Sequence, residues 1–147
     1  MPLSARFIHH SVRKGRNRME FPGTIMEALG IDIVEATADR VVCTMPVDPR
    51  TRQPAGVLHG GASLVLAETA ASIGTHIQIN QAEEIAVGME INANHLRPVS
   101  EGTVTAVAVP LHKGRSSMVW DIRISDAAGR LICVSRCTVA IVKKNRP

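Results

Sequence analysis

The sequence predicts an α+β domain in which one curved antiparallel sheet of about six strands wraps around one long central helix. Three observations carry this expectation. A single segment, 60–79, has the length and pattern of a long helix, and apolar residues occupy nearly every side of it, as in helices that are buried rather than laid on a surface. Everything after it reads as strand, interrupted by turn signals near 100–102, 113–114 and 126–129. The links between these strands are short, and short links force consecutive strands to run antiparallel. A chain of 147 residues fits one domain, large enough to bury a core without a disulfide or metal staple.

Residues 1–20 are expected to form a basic flexible tail, followed by the folded domain over 21–147. Thr24 followed by Glu27 reads as a capping box, Gly30 as the stop of a short helix, and Ile25, Met26 and Leu29 as the side chains that bury it. Segments 31–36 and 40–47 read as a hairpin, with Val41, Cys43, Met45 and Val47 alternating onto one face. Pro46, Pro49 and Pro54 frame a loop that carries Gln53. After the long helix, strands are expected near 86–97, 102–111, 116–125 and 130–142. In the third of these, Met118, Trp120, Ile122 and Ile124 alternate with more polar positions.

Composition excludes several classes of function. Hydrophobic residues make up 45% of the chain and charged residues 20%, which is globular rather than disordered. Aromatic residues are only 2%, too few for a base-stacking platform, so no nucleic-acid partner is expected. No apolar run reaches the roughly 18 residues of a membrane span. The net charge of +4 is misleading, because Arg6, Arg13, Lys14, Arg16 and Arg18 lie within the first 18 residues with no acid beside them. The rest carries 12 basic and 13 acidic residues and is close to neutral. Such a tail fits an anionic-surface tether, an arginine-rich transit peptide or a frayed solvated terminus, and the last is the reading adopted. Cys43, Cys133 and Cys137 form no spaced framework, which fits a reducing, cytoplasmic setting and core thiols. The histidines show no metal-ligand spacing, and no dinucleotide or phosphate-loop fingerprint is present, so no metal or cofactor is expected.

The residues that invite chemistry cluster at the long helix. Glu68 sits in its middle among alanines, and a carboxylate on a buried element needs a solvent gap, an arginine partner or a catalytic purpose. Ser72 lies four residues on, on the same face, although a lone helical serine commonly bonds only to backbone. His59-Gly60-Gly61 stands where the helix begins, where free N–H groups and the helix dipole favour negative charge, the equipment of an oxyanion hole. The plain alternative is a loop-to-helix junction capped by a histidine.

Taken together, MPVDPRTRQPAGVLHGGASLVLAETAAS (45–72), GMEINANHLRP (88–98) and PLHKGRSSMVWDIRISDAAGRLICVSRCTVAI (110–141) resemble the hotdog-fold acyl-CoA thioesterases of the phenylacetate-pathway type. The likeness is greater to the bacterial thioesterases acting on 1,4-dihydroxy-2-naphthoyl-CoA and to proofreading thioesterases acting on aryl-carrier-protein thioesters. It spans roughly residues 40–142 and excludes the tail. The resemblance implies a hotdog fold and hydrolysis of an acyl-CoA, aromatic in its closer relatives. It implies Glu68 as the carboxylate acting as nucleophile or base, and Gly60 as the amide that polarises the thioester carbonyl. Gln53 and His59 would stand beside that carbonyl, Ser72 would position water, and His95 would line the pocket. Arg97, Lys113, Gly114, Arg115 and Ser116 fall where relatives hold coenzyme A. The implied assembly is a homodimer within a dimer-of-dimers tetramer.

Helix geometry adds an inference. Gly60 and Glu68 are eight residues apart, about 12 Å along a helix axis, yet both would have to sit within about 3 Å of one thioester's reacting atoms. One helix cannot supply both. Two helices related by a twofold axis can, each site taking Gly60 from one chain and Glu68 from the other. Two alternatives compete with hydrolysis: a hotdog 3-hydroxyacyl-CoA dehydratase using a histidine–carboxylate pair, and a non-enzymatic acyl-CoA-binding sensor. Gln53 and the HGGA register argue against the first, and a purely binding role leaves Glu68 without purpose.

Overall fold

The computed structural model describes residues 20–145; the basic tail, apart from Glu20, lies outside them. The element order is α1 (Ile25–Leu29), β1 (Asp32–Ala36), β2 (Val41–Pro46), α2 (Gly60–His76), β3 (Glu84–His95), β4 (Thr103–Lys113), β5 (Ser117–Ser125) and β6 (Leu131–Lys143). The strands form one six-stranded sheet in the order β1-β2-β4-β5-β6-β3, antiparallel at every pairing. The expected architecture is therefore present, and each expected strand lies within a few residues of its observed limits.

The sheet curls around α2 because its inward positions, Ser135 of β6 excepted, are apolar at every second residue. Met118, Trp120, Ile122 and Ile124 of β5, Val104, Ala106 and Ala108 of β4, and Cys133, Cys137 and Val139 of β6 are all buried. From α2 come Leu66, Ala67, Ala70 and Ala71, each fully buried. The alanines keep that face of the helix narrow, so the sheet packs close to its backbone, while each fully buried Leu or Ile contributes about 1.5–3 kcal/mol. The polar atoms carried inside are matched: Trp120 Nε1 donates to Thr75 Oγ1 at 3.0 Å, and Thr75 Oγ1 donates to the Ala71 carbonyl at 3.0 Å. Burial pushes the Cys43 and Cys137 thiols up to about 12, so both are core thiols rather than nucleophiles.

Three local expectations need correction. The capping box is displaced by one residue: Thr24 Oγ1 donates to the Phe21 carbonyl, while the Glu27 carboxylate accepts from the Gly23 N–H at 2.6 Å. The turn through Pro22 and Gly23 presents that N–H to the start of the helix. Ile25 does not bury α1, being 56% exposed; Met26 and Leu29 pack against the core instead. Finally, α2 stops at His76 rather than near 79, because the Gln78 N–H bonds to the Thr75 carbonyl at 3.0 Å and tightens the last turn.

One irregularity positions the site. β3 pairs with β6 along one side only and is an edge strand. Its register slips between Gly88 and Glu90, and an extra residue of this kind reverses which side chains face inward. Ala86 and Gly88 face α2 on one side of the bulge, and Ile91, Ala93 and His95 on the other.

Candidate active site

α2 carries two groups of polar residues, and the chain keeps them in separate cavities. The first cavity, about 340 Å³, lies at the start of the helix and is lined by Gln53, Gly60, Ser63, His95 and Arg97 among others. The second, about 500 Å³, lies along the helix middle and end and includes Glu68, Ser72, Ile73 and His76. They share no lining residue. Of the predicted residues, Gln53, Gly60, His95 and Arg97 are thus brought together as one set and Glu68 and Ser72 as another.

The first set is built from a loop and a helix start. Gln53 accepts from the Ala55 N–H through its Oε1 at 2.5 Å, which leaves the two Nε2 protons to offer to a ligand. The His59 Nδ1 accepts from the Gly61 N–H at 2.8 Å, and the His59 carbonyl takes the Ala62 and Ser63 N–H groups. His59 is therefore the helix cap, and it is not among the residues lining the cavity. The Gly60 N–H has no acceptor among the described residues, so the first amide of α2 is open to a ligand, with the positive end of the helix dipole behind it. The imidazole of His95 lies against Gly60: a Cβ there would stand 2.7 Å from His95 Nε2. Any larger residue would push the ring off the amide.

The second set faces the edge strand. Glu68 is partly exposed, and no lysine or arginine pairs with it among the described residues. The solvent-gap alternative is nearer to what is seen than the arginine pair, but the gap is a cavity. Its carboxylate lies directly over Gly88, where a Cβ would overlap Glu68 Oε1. Ser72 follows one turn along the same face. The walls are Phe21, Ile25, Met26, Val65, Ile73 and Ala86, an apolar lining suited to a hydrophobic group. Desolvation first, and the charges of Glu68 and Glu90 next, hold the neighbouring Cys137 thiol protonated.

The residues expected to hold coenzyme A are also separated, although the turn among them lines neither cavity. Arg97 lines the first cavity and anchors itself by donating to the Leu131 carbonyl at 2.8 Å. Lys113, Gly114, Arg115 and Ser116 form the β4–β5 turn at the other end of the sheet, where the Gly114 N–H bonds to the Ser117 carbonyl and Lys113 pairs with Asp39 at 2.7 Å. Two residues beside Glu68 and Ser72 were not among those expected. Gly88 had no local signal, because its place under Glu68 depends on how β3 folds back against α2. His76 could have been found: it continues the Glu68–Ser72 spacing by one more turn.

Comparison with known proteins agrees with this architecture. The Thioesterase superfamily matches residues 55–133. The 1,4-dihydroxy-2-naphthoyl-CoA hydrolase of Escherichia coli K12 is 48% identical over 86% of this chain and 87% of its own length. The proofreading thioesterase EntH of Cronobacter turicensis is 47% identical over 82% of this chain and 87% of its own. Among solved structures, thioesterase HI1161 of Haemophilus influenzae superposes with a TM-score of 0.79 at 45% identity, covering 83% of this chain and 85% of that one. A mutant of thioesterase PA1618 from Pseudomonas aeruginosa gives a TM-score of 0.81 at 43% identity, covering 83% and 88%. A hotdog architecture, matched across most of the chain by proteins of one activity, places this chain in the thioesterase superfamily as a thioester hydrolase.

Proposed function

We propose that the protein hydrolyses an aromatic acyl-CoA, or the same acyl group on a carrier protein, to the free acid and thiol at a site shared by two chains. The observation that carries this reading is the division of α2 into two cavities, one with donors for a carbonyl oxygen and one with a carboxylate. In the shared site, the Gly60 N–H and Gln53 Nε2 of one chain hold the thioester oxygen as negative charge develops, a donor being worth about 3 kcal/mol. Glu68 of the other chain attacks the carbonyl carbon or takes a proton from the attacking water, and Ser72 orients that water. His95 packs the oxyanion side, and His59 acts by fixing the helix start. The thiol is a good leaving group, so no strong acid is needed to expel it. Arg97 of one chain and the Lys113–Ser116 turn of its partner then flank the coenzyme A.

β3 supports the pairing. An open edge of 12 residues invites another strand, and Ile85, Val87 and Met89 on it are 42%, 45% and 66% exposed. Pairing two β3 strands antiparallel about a twofold near Ile91 brings Gly88, under Glu68, of one chain toward His95, beside Gly60, of the other. Dimers of this kind, assembled further into tetramers in a cytoplasmic setting, complete the reading. Introducing Val87→Asp and Met89→Asp together should give monomers in analytical ultracentrifugation. Hydrolysis should fall at least about a hundredfold, because each half-site loses its complement, with the far-UV circular dichroism kept. An active monomer would overturn the shared site.

Two relatives named for dihydroxynaphthoyl-CoA and the apolar second cavity support an aromatic acyl group. Following free thiol with benzoyl-, dihydroxynaphthoyl- and aliphatic-CoA esters tests it directly. The aromatic esters should have kcat/KM values at least about tenfold above the aliphatic ones. Equal rates would remove the aromatic assignment, and hydration of crotonyl-CoA without thiol release would replace hydrolysis by dehydratase chemistry.

A further inference from the structure

The first cavity holds a polar atom that the chemistry described above does not use. Ser63 is 2% exposed, and its hydroxyl has no hydrogen-bond partner among the described residues. Thr51, Thr75 and Ser135 are buried too, and the hydroxyl of each donates to a carbonyl, as buried hydroxyls ordinarily do. The same habit would turn Ser63 Oγ back on the His59 carbonyl one turn earlier. That oxygen already takes the Ala62 and Ser63 N–H groups, which fills both its lone pairs. The hydroxyl is not sealed in apolar packing either. Every fully enclosed side-chain nitrogen or oxygen among the described residues has a partner, so the partnerless Ser63 Oγ is open to the cavity that the residue lines.

Its place suits one part of a thioester. Ser63 follows Gly60 by three residues, about 4.5 Å along the axis, and its side chain leans back toward the helix start. A thioester oxygen held about 3 Å beyond the Gly60 N–H therefore stands about 6 Å from Ser63 Oγ. In coenzyme A, and in the prosthetic arm of carrier proteins, the sulfur is joined through a pair of methylenes to an amide. With staggered torsions the nitrogen of that amide lies about 5 Å from the thioester oxygen, within hydrogen-bond reach of the hydroxyl. The other walls fit the same arm. Val57, Leu58, Leu96 and Ile132 offer apolar surface to the methylenes, and Arg97 lines the same cavity. The acyl half of the substrate enters the Glu68 cavity of the other chain, so this cavity is left for the thiol half.

We propose that Ser63 is a specificity-determining residue for the thiol half of the substrate, its hydroxyl accepting the N–H of the amide nearest the sulfur. The inference rests on the reading of the first cavity as the carbonyl side of a thioester, and it adds which thiols that cavity accepts. A thiol without the amide leaves the buried hydroxyl unpaired when the site closes on it, and a site built to make such a bond rejects the analogue that cannot.

The experiment compares kcat/KM for S-benzoyl-N-acetylcysteamine, which keeps the amide, with S-butyl thiobenzoate, which lacks it. The two leave with different ease, but that intrinsic difference cancels when native protein and variant are compared on the same pair. In Ser63→Ala the preference for the amide-bearing ester should fall at least about fivefold. The Tm of the variant should stay within about 3 °C of the native value, because the hydroxyl holds nothing in the fold. Benzoyl-CoA and the benzoyl thioester of an aryl carrier protein bear the same amide, so both should lose that factor in Ser63→Ala, and their native kcat/KM values tell which carrier is the source. An unchanged preference overturns the proposal, as does a loss confined to one carrier or a Tm lowered by more than that margin. Gln53→Ala separates the two layers. Full activity of that variant on both short esters removes the carbonyl-side reading itself, whereas its inactivity beside an unaltered preference in Ser63→Ala removes only the role of Ser63.

Discussion

Replacing Glu68 with glutamine should lower kcat at least about a hundredfold and leave KM within about threefold. The amide has nearly the shape of the carboxylate and fits the same place over Gly88, so the variant keeps its packing and its cavity. What it loses is the negative charge that makes the oxygen nucleophilic toward carbon or basic toward the proton of water, and no neighbouring group can stand in. Cys137 cannot, since burial and the charges beside it push its thiol up to about 12. The base that remains in the row beyond Ser72 is His76, and it stands a full two turns from the place of Glu68. Substrate binding should survive, because the residues proposed for coenzyme A and for the carbonyl oxygen lie in the other cavity and on the β4–β5 turn. Steady-state kinetics with free-thiol detection measures both constants. A kcat within threefold of the native value would take Glu68 out of the chemistry.

Much of the architecture was legible because the sheet is regular where it matters. β5 alternates without interruption from Met118 to Ile124, so its buried face follows from period alone. The apolar girdle of α2 likewise announces a helix enclosed by other elements. Where backbone irregularity intervenes, the sequence falls silent. The bulge after Gly88 exchanges the inward residues of β3, and nothing in the alternation of EIAVGMEINANH declares it. Without that bulge, Gly88 and His95 could not both face α2, since they differ by an odd number of positions. The short helix α1 failed for a related reason: its hydrogen bonds are set by the Pro22–Gly23 turn before it, and Ile25 belongs to a cavity wall rather than to the core. The polar residues of α2 were found as suspects from their place on a buried helix. Their separation into two cavities needed coordinates, although the rise per residue already forbade a common carbonyl.

That separation leads to the most discriminating expectation. Gln53→Ala removes a donor from the first cavity, and Glu68→Ala removes the carboxylate from the second. If every site takes one cavity from each chain, a homodimer of either variant has two damaged sites and should be nearly inactive. Unfolding the two variants together and refolding them in equal amounts pairs chains at random, so about half the dimers are mixed. In a mixed dimer, one site collects both lesions and the other joins an intact Gln53 to an intact Glu68. Activity should therefore recover to about a quarter of the native value, a fraction set only by counting sites. Dimers of dimers give the same fraction, because only the pairwise interface forms sites. Native protein carried through the same refolding supplies the reference, and each variant refolded alone supplies the floor. Recovery cannot arise if the two residues serve a carbonyl on their own chain, since every site would then keep its single lesion whatever its neighbour carries. A mixture that remains at the floor while native protein refolds well would place both residues on one carbonyl. The edge strand and the two cavities of α2 would then need a different explanation.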